Sequence, residues 1–131
     1  MTSLDKFITD EGSIDISVEA VATLATKQYF AVKENGSNQV AICGANEKAL
    51  GILQNAPAAG EIAIVRIAGV SKCKLAQAVT MGSLLTPTSD GDAEICDAAN
   101  ENYFARALGT YADNDIAEVQ LCFGEVTATD E

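Results

Sequence analysis

Between Gln28 and Phe123 the chain is a succession of short apolar runs separated by turn residues, and that rhythm constrains its fold more than any other feature. Nine runs are readable: Gln28–Glu34, Gln39–Cys43, Leu50–Gln54, Glu61–Ala68, Val70–Leu75, Ser83–Thr86, Ala93–Cys96, Phe104–Leu108 and Ile116–Phe123. Asn35-Gly36, Pro57 to Gly60, Ser89-Asp90-Gly91 and Asp113-Asn114 punctuate them, residues that tolerate the positive φ of tight hairpins. The pattern predicts an all-β fold, a small β-barrel or β-sandwich of about nine short strands. Within the last run Val119, Leu121 and Phe123 alternate with Glu118, Gln120 and Cys122, which predicts one buried and one wet face. Ile62 to Ile67 is apolar on both faces except for Arg66, so it is expected to be covered on both sides, the second cover coming from another subunit.

At 131 residues and 48% apolar content the chain suits one core. Residues 1–16 read as a flexible N-terminal arm and 17–131 as a single β domain, because residues 1–13 carry too little apolar surface to fold alone. At most one or two short helices are expected. In Ser17–Ala25, Val18, Val21, Ala22 and Ala25 fall at helical spacing behind a capping Ser17, although Ile14, Ile16 and Val18 alternate as a strand would. Ala76–Met81 is a second candidate, stopped by Gly82. An ordered similarity links Ala49-Leu50-Gly51 followed by Ile62–Ile67 to Ala107-Leu108-Gly109 followed by Ile116–Leu121. It suggests two alike hairpins that both build the barrel, each with a bulge or close backbone approach at its glycine.

Charge excludes more functions than it suggests. The net charge of −11 has the wrong sign for neutralising nucleic-acid phosphates. It is unevenly spread: residues 1–20 net −4, 21–86 net +3 and 87–131 net −10, so a mildly basic and an acidic face could meet in an assembly. Histidine is absent, which removes the usual general base and the commonest metal ligand. The carboxylates of Asp90, Asp92 and Glu94 lack the ligand series of a calcium loop, and no phosphate-binding glycine motif occurs. Cys43, Cys73, Cys96 and Cys122 form no CxxC pair and read as small core hydrophobes. Lys72 and Lys74 flank Cys73 but would point to the opposite strand face, so a catalytic thiol is not expected. No catalytic residue, metal or cofactor is assigned. The acidic start lacks an apolar leader and no run could span a bilayer, which predicts synthesis in the host cytoplasm with reduced thiols and no membrane partner.

An ordered series of short marks runs from Tyr29 to Phe123: Phe30-Ala31-Val32-Lys33, Gly51-Ile52-Leu53-Gln54-Asn55-Ala56-Pro57, Gly60-Glu61, and Ala68-Gly69-Val70 with Lys72 and Lys74. Met81-Gly82-Ser83-Leu84-Leu85-Thr86, Asp90-Gly91 and Ala105-Arg106-Ala107-Leu108-Gly109 complete it. In that order they resemble the phage capsid decoration, or cement, protein family. Asp113-Asn114-Asp115 and the acidic arm before Ile14 depart from the family pattern. The resemblance implies a non-enzymatic protein on the outer surface of an expanded icosahedral head, in the virion. There it would act as a homotrimer at threefold positions, with the major capsid protein and its own copies as partners. On this reading Leu4, Phe7, Ile8, Ile14 and Ile16 are candidate capsid contacts, and Ile62, Ile64, Arg66, Lys72 and Lys74 candidate subunit contacts. The alternative from the residues themselves is a ligand- or carbohydrate-binding β-barrel, which needs convergent polar and aromatic groups. The adjacent pairs Tyr29-Phe30 and Tyr103-Phe104, split between opposite strand faces, are poor material for one.

Overall fold

Alternation and turn chemistry together produce ten strands. The computed structural model describes residues 12–127, with β1 at Ile14–Ala20, β2 at Ala31–Glu34, β3 at Gln39–Ile42, β4 at Gly51–Leu53 and β5 at Ile62–Ala68. These are followed by β6 at Val70–Lys74, β7 at Leu84–Pro87, β8 at Ala93–Ile95, β9 at Asn102–Ala107 and β10 at Ile116–Glu125. The first five close into a barrel in the order β1-β3-β2-β4-β5, with β5 pairing back onto β1. The last five form an antiparallel sheet in the order β6-β10-β9-β7-β8. The expected all-β fold is therefore present, as a barrel with a second sheet laid against it. The nine expected runs correspond to β2 through β10, and the predicted turns carry positive φ at Gly36, Gly60, Gly91 and Asn114.

The tenth strand replaces a helix. Ser17–Ala25 was open to both readings, and β1 wins because Ser17, Val18 and Glu19 pair with Ile64, Ala63 and Ile62, while Glu19 and Ala20 pair with Gln39 and Val40 of β3. The ladder to β5 runs along Ile14 to Glu19 and β3 joins at Glu19 and Ala20, and this pairing outweighs a weak local helical spacing. Ile14, Asp15 and Ile16, placed by the sequence in the arm, belong to the barrel instead, and residues 1–11 lie outside the described residues. Ala76–Met81 is likewise not helical, and the β-bridge from Val79 to Tyr111 holds it instead.

Two cores follow from the two layers. Val32, Val40, Leu53, Ala63 and Val65 fill the barrel with Ala20 and Leu24. Ile52 and Ala31 meet Cys73, Leu75, Leu85, Phe104, Val119 and Leu121 between barrel and sheet. Successive residues of β2 and β4 thus serve opposite cores, Ala31 and Ile52 toward the sheet, Val32 and Leu53 into the barrel. That double duty explains why Gly51-Ile52-Leu53 is buried at every position. Gly51 is required there, since a Cβ would overlap the carbonyl oxygen of Arg66 and come within 2.9 Å of Val65 Cγ1.

The internal similarity does not describe two equivalent hairpins. One half supplies β4 and β5 of the barrel, the other β9 and β10 of the second sheet. Their registers differ, Val65 facing Leu53 but Val119 facing Ala107. Nor is Ile62 to Ile67 covered on both sides by this chain: Ala63 and Val65 are buried, while Ile62 is 55% exposed and Ile64 half-buried.

Candidate interaction surfaces

Closure leaves few strand edges through which this domain could add to another sheet. The barrel is closed, with Ile14–Val18 of β1 the stretch that pairs on one side alone, with β5. Along β6, Tyr29 O accepts from Lys74 N (2.9 Å) and Ser71 Oγ accepts from Gln54 Nε2 (2.9 Å). Beside β8, Ala93 bridges to Leu75 and Ile95 N donates to Gln77 Oε1 (2.6 Å).

One side-chain face lies where β5 turns into β6, and it gathers two of the five predicted interface residues, Arg66 and Lys72. Asp15 stands opposite Arg66 in the β1–β5 ladder, and the guanidinium forks onto its carboxylate at 2.8 and 3.2 Å while a third N–H donates to Val70 O (2.9 Å). Arg66 and Lys72 both border a hollow of about 210 Å³ floored by Tyr29. Tyr29 has a φ of +74°, an uncommon conformation for a bulky residue, kept by its N–H to Leu53 O (2.7 Å) and its carbonyl to Lys74 N. Lys72 lies 5.8 Å from the Tyr29 ring centre and Lys27 4.7 Å from that of Phe30. Lys74 Nζ donates to Asn114 O (2.8 Å) instead. Ile62 is not part of this cluster: it sits at the other end of β5, opposite Glu19. Of the predicted capsid contacts, Ile14 is exposed at the start of β1 and Ile16 packs against the barrel core. Leu4, Phe7 and Ile8 lie outside the described residues.

The basic middle segment does not make one face. Lys33 and Lys48 stand apart from Arg66 and Lys72, at an open groove of about 920 Å³ between the β3–β4 loop and the ends of β9 and β10. Lys33 Nζ donates to Glu47 Oε1 (2.7 Å), which also accepts from Gly44 N (2.6 Å). The Lys33 hydrogen bond first, and the Gly44 N–H next, hold the Glu47 carboxyl below its ordinary pKa. Asn46, at φ +59°, bolts the loop to β9: its Oδ1 accepts from Asn102 N (2.6 Å) and its carbonyl from Asn102 Nδ2 (2.9 Å).

Sequence reasoning missed the aromatic side of this groove. Phe123 was expected inside with Val119 and Leu121, but the β9–β10 register slips between Leu121 and Gly124, and Phe123 emerges 47% exposed. Tyr103 pairs with Gly124, where a Cβ would come within 2.6 Å of the tyrosine Cζ. Tyr103 and Phe104 do part as expected, Phe104 into the core and Tyr103 to the groove. The available signal was the glycine directly after an aromatic residue in a strand, a mark of bulges and close approach.

Three of the four thiols, Cys43, Cys73 and Cys96, are buried as expected, while Cys122 is only half-buried on β10. Cys43 and Cys73 are fully buried, and burial pushes each thiol up to about 12, with Glu47 adding at Cys43 and Asp92 at Cys73. Lys72 and Lys74 point away from Cys73, leaving it without the cationic neighbour that activates a nucleophile. Among the described residues no group of three or more acidic or thiol side chains could hold a metal, and no helix is long and apolar enough to cross a membrane.

With this geometry in hand, comparison with solved structures finds a close relation of fold. The head fiber gp8.5 N base of bacteriophage phi29 aligns with 84% of this chain and 94% of its own, at a TM-score of 0.68 and 13% sequence identity. At that identity the likeness is one of architecture. No family model matches the chain, and no curated protein matches it.

Proposed function

We propose that this protein is a structural component attached to a phage head, a decoration protein that binds the outer surface of the expanded capsid and reinforces it. The observation that carries the reading is the fold match to a phage head fiber base along nearly the whole of that chain. The ordered motif series from Phe30 to Gly109 supports it independently, because it arises from sequence and points to the same class of head-surface protein.

In this reading the major capsid protein is the partner, and the segment before Gly12, with Leu4, Phe7 and Ile8, is the docking element. The protein acts as a homotrimer over threefold positions, with Ile62 and Ile64 at the subunit seam. Burying apolar side chains is the main driving term for such association, and these two are the part of β5 its own chain leaves uncovered. Arg66 and Lys74, already engaged within the chain, shape the seam rather than anchor it.

Removing residues 1–11 tests the docking element. The truncated protein should melt at the temperature of the full chain and fail to sediment with expanded heads. Undiminished co-sedimentation would remove the arm from the docking mechanism.

A further inference from the structure

We infer that the groove between the β3–β4 loop and the ends of β9 and β10 is a binding site for a neutral oligosaccharide, a second activity carried by the same domain and independent of how it docks. Three locally unfavourable features converge on this one place. The β10 bulge turns an apolar ring out of the core into water, so Phe123 is exposed where simple alternation would have buried it. Gly124 gives up its side chain so that the Tyr103 ring can lie against the strand, at the conformational cost of a strand glycine. Asn46 adopts positive φ and spends both its Oδ1 and its carbonyl on Asn102, fixing the opposite wall.

The result is a preformed, open hollow of about 920 Å³, in the size range of small-ligand sites. Its chemistry selects the ligand class. Tyr103 and Phe123 line the groove as aromatic surface for the C–H side of a pyranose ring, and Lys48, Glu34 and Glu125 line it as partners for hydroxyl groups. Three carboxylates, from Glu34, Glu47 and Glu125, against the ammonium groups of Lys33 and Lys48 leave the groove with excess negative charge, on a chain of net −11. Uronic-acid or phosphorylated glycans are repelled by that field, and neutral sugars are not. The barrel interior, where a ligand would be sought first in such a fold, is filled by Val32, Val40, Leu53 and Val65.

The test is an amide chemical-shift titration of the full-length protein with maltotriose, chitotriose and trigalacturonate, each to about 10 mM, the weak limit of specific recognition. Saturable shifts at Ala49, Asn102, Tyr103 and Gly124 with one or both neutral trisaccharides, and none with trigalacturonate, are expected. Phe123→Ala should weaken that binding about tenfold without lowering the melting temperature, because the ring is half in water. Absence of saturable shifts with either neutral sugar, equal binding of trigalacturonate, or an affinity unchanged by Phe123→Ala would each overturn the inference. Head binding is measured separately, so failure here leaves the proposed head attachment untouched.

Discussion

Cys73 shows how a residue's chemistry is set by its position. It occupies the middle of β6 on the core side, its thiol held near 12 by burial, while Lys72 and Lys74 take the wet face. The sign of the consequence follows from linkage: an acid whose pKa rises from its ordinary 9 on folding keeps its proton longer in the native state. Its contribution is fully present below pH 9 and is lost as pH climbs from 9 toward 12, since the unfolded chain releases the proton first. Cys43 behaves alike. Urea unfolding between pH 9 and 11 should therefore show stability falling by about 1 kcal/mol per pH unit for each of the two thiols. The double variant Cys43→Ala, Cys73→Ala should flatten that slope, although it starts from a lower stability. A slope unchanged by the double variant would place the alkaline lability elsewhere.

Among the elements, β1 has the largest structural role relative to its sequence signal. It is the strand that closes the barrel, pairing with β3 on one side and β5 on the other, and without it Val40, Ala63 and Val65 lose their cover. A chain beginning after Ala20 should lose its cooperative melt, whereas one beginning at Gly12 should keep it; circular dichroism against temperature distinguishes the two. A cooperative melt without β1 would mean that the second sheet and its core fold alone. The remaining nine strands were legible because each alternates or runs apolar between turn residues, and both signals are local. The identity of β1 was not, because Val18, Val21, Ala22 and Ala25 fit a helix and only pairing with Ile62 to Ile64, far along the chain, decides against it. The groove was hidden for the same reason, since Asn46, Tyr103 and Phe123 meet only after both sheets have formed. The candidate contacts were partly legible: Arg66 and Lys72 do share one hollow, but the sequence could not reveal that Asp15 already holds the guanidinium.

For the whole molecule, the proposed head attachment poses the question of how a small acidic domain would hold a surface larger than itself. In the proposed trimer the outer strip of β5, with Ile62 exposed and Ile64 half-buried, supplies apolar surface for the seam. Ile62→Asp should leave the monomer folded, because that side chain is already more than half exposed, and under the proposed trimer it should shift sedimentation equilibrium toward monomer. A trimer that survives this change would move the seam elsewhere. Weak subunit contacts could still act on the shell, where three copies held close together raise one another's effective concentration. The fold relation to a head fiber base, together with the motif series, leads to the central claim of head attachment, and one measurement reaches it directly. Purified protein should be sedimented with expanded heads lacking it, beside unexpanded precursor shells, and the copies bound per shell counted. The account predicts saturable binding to expanded heads alone, in multiples of three per site; no binding to either particle would contradict it.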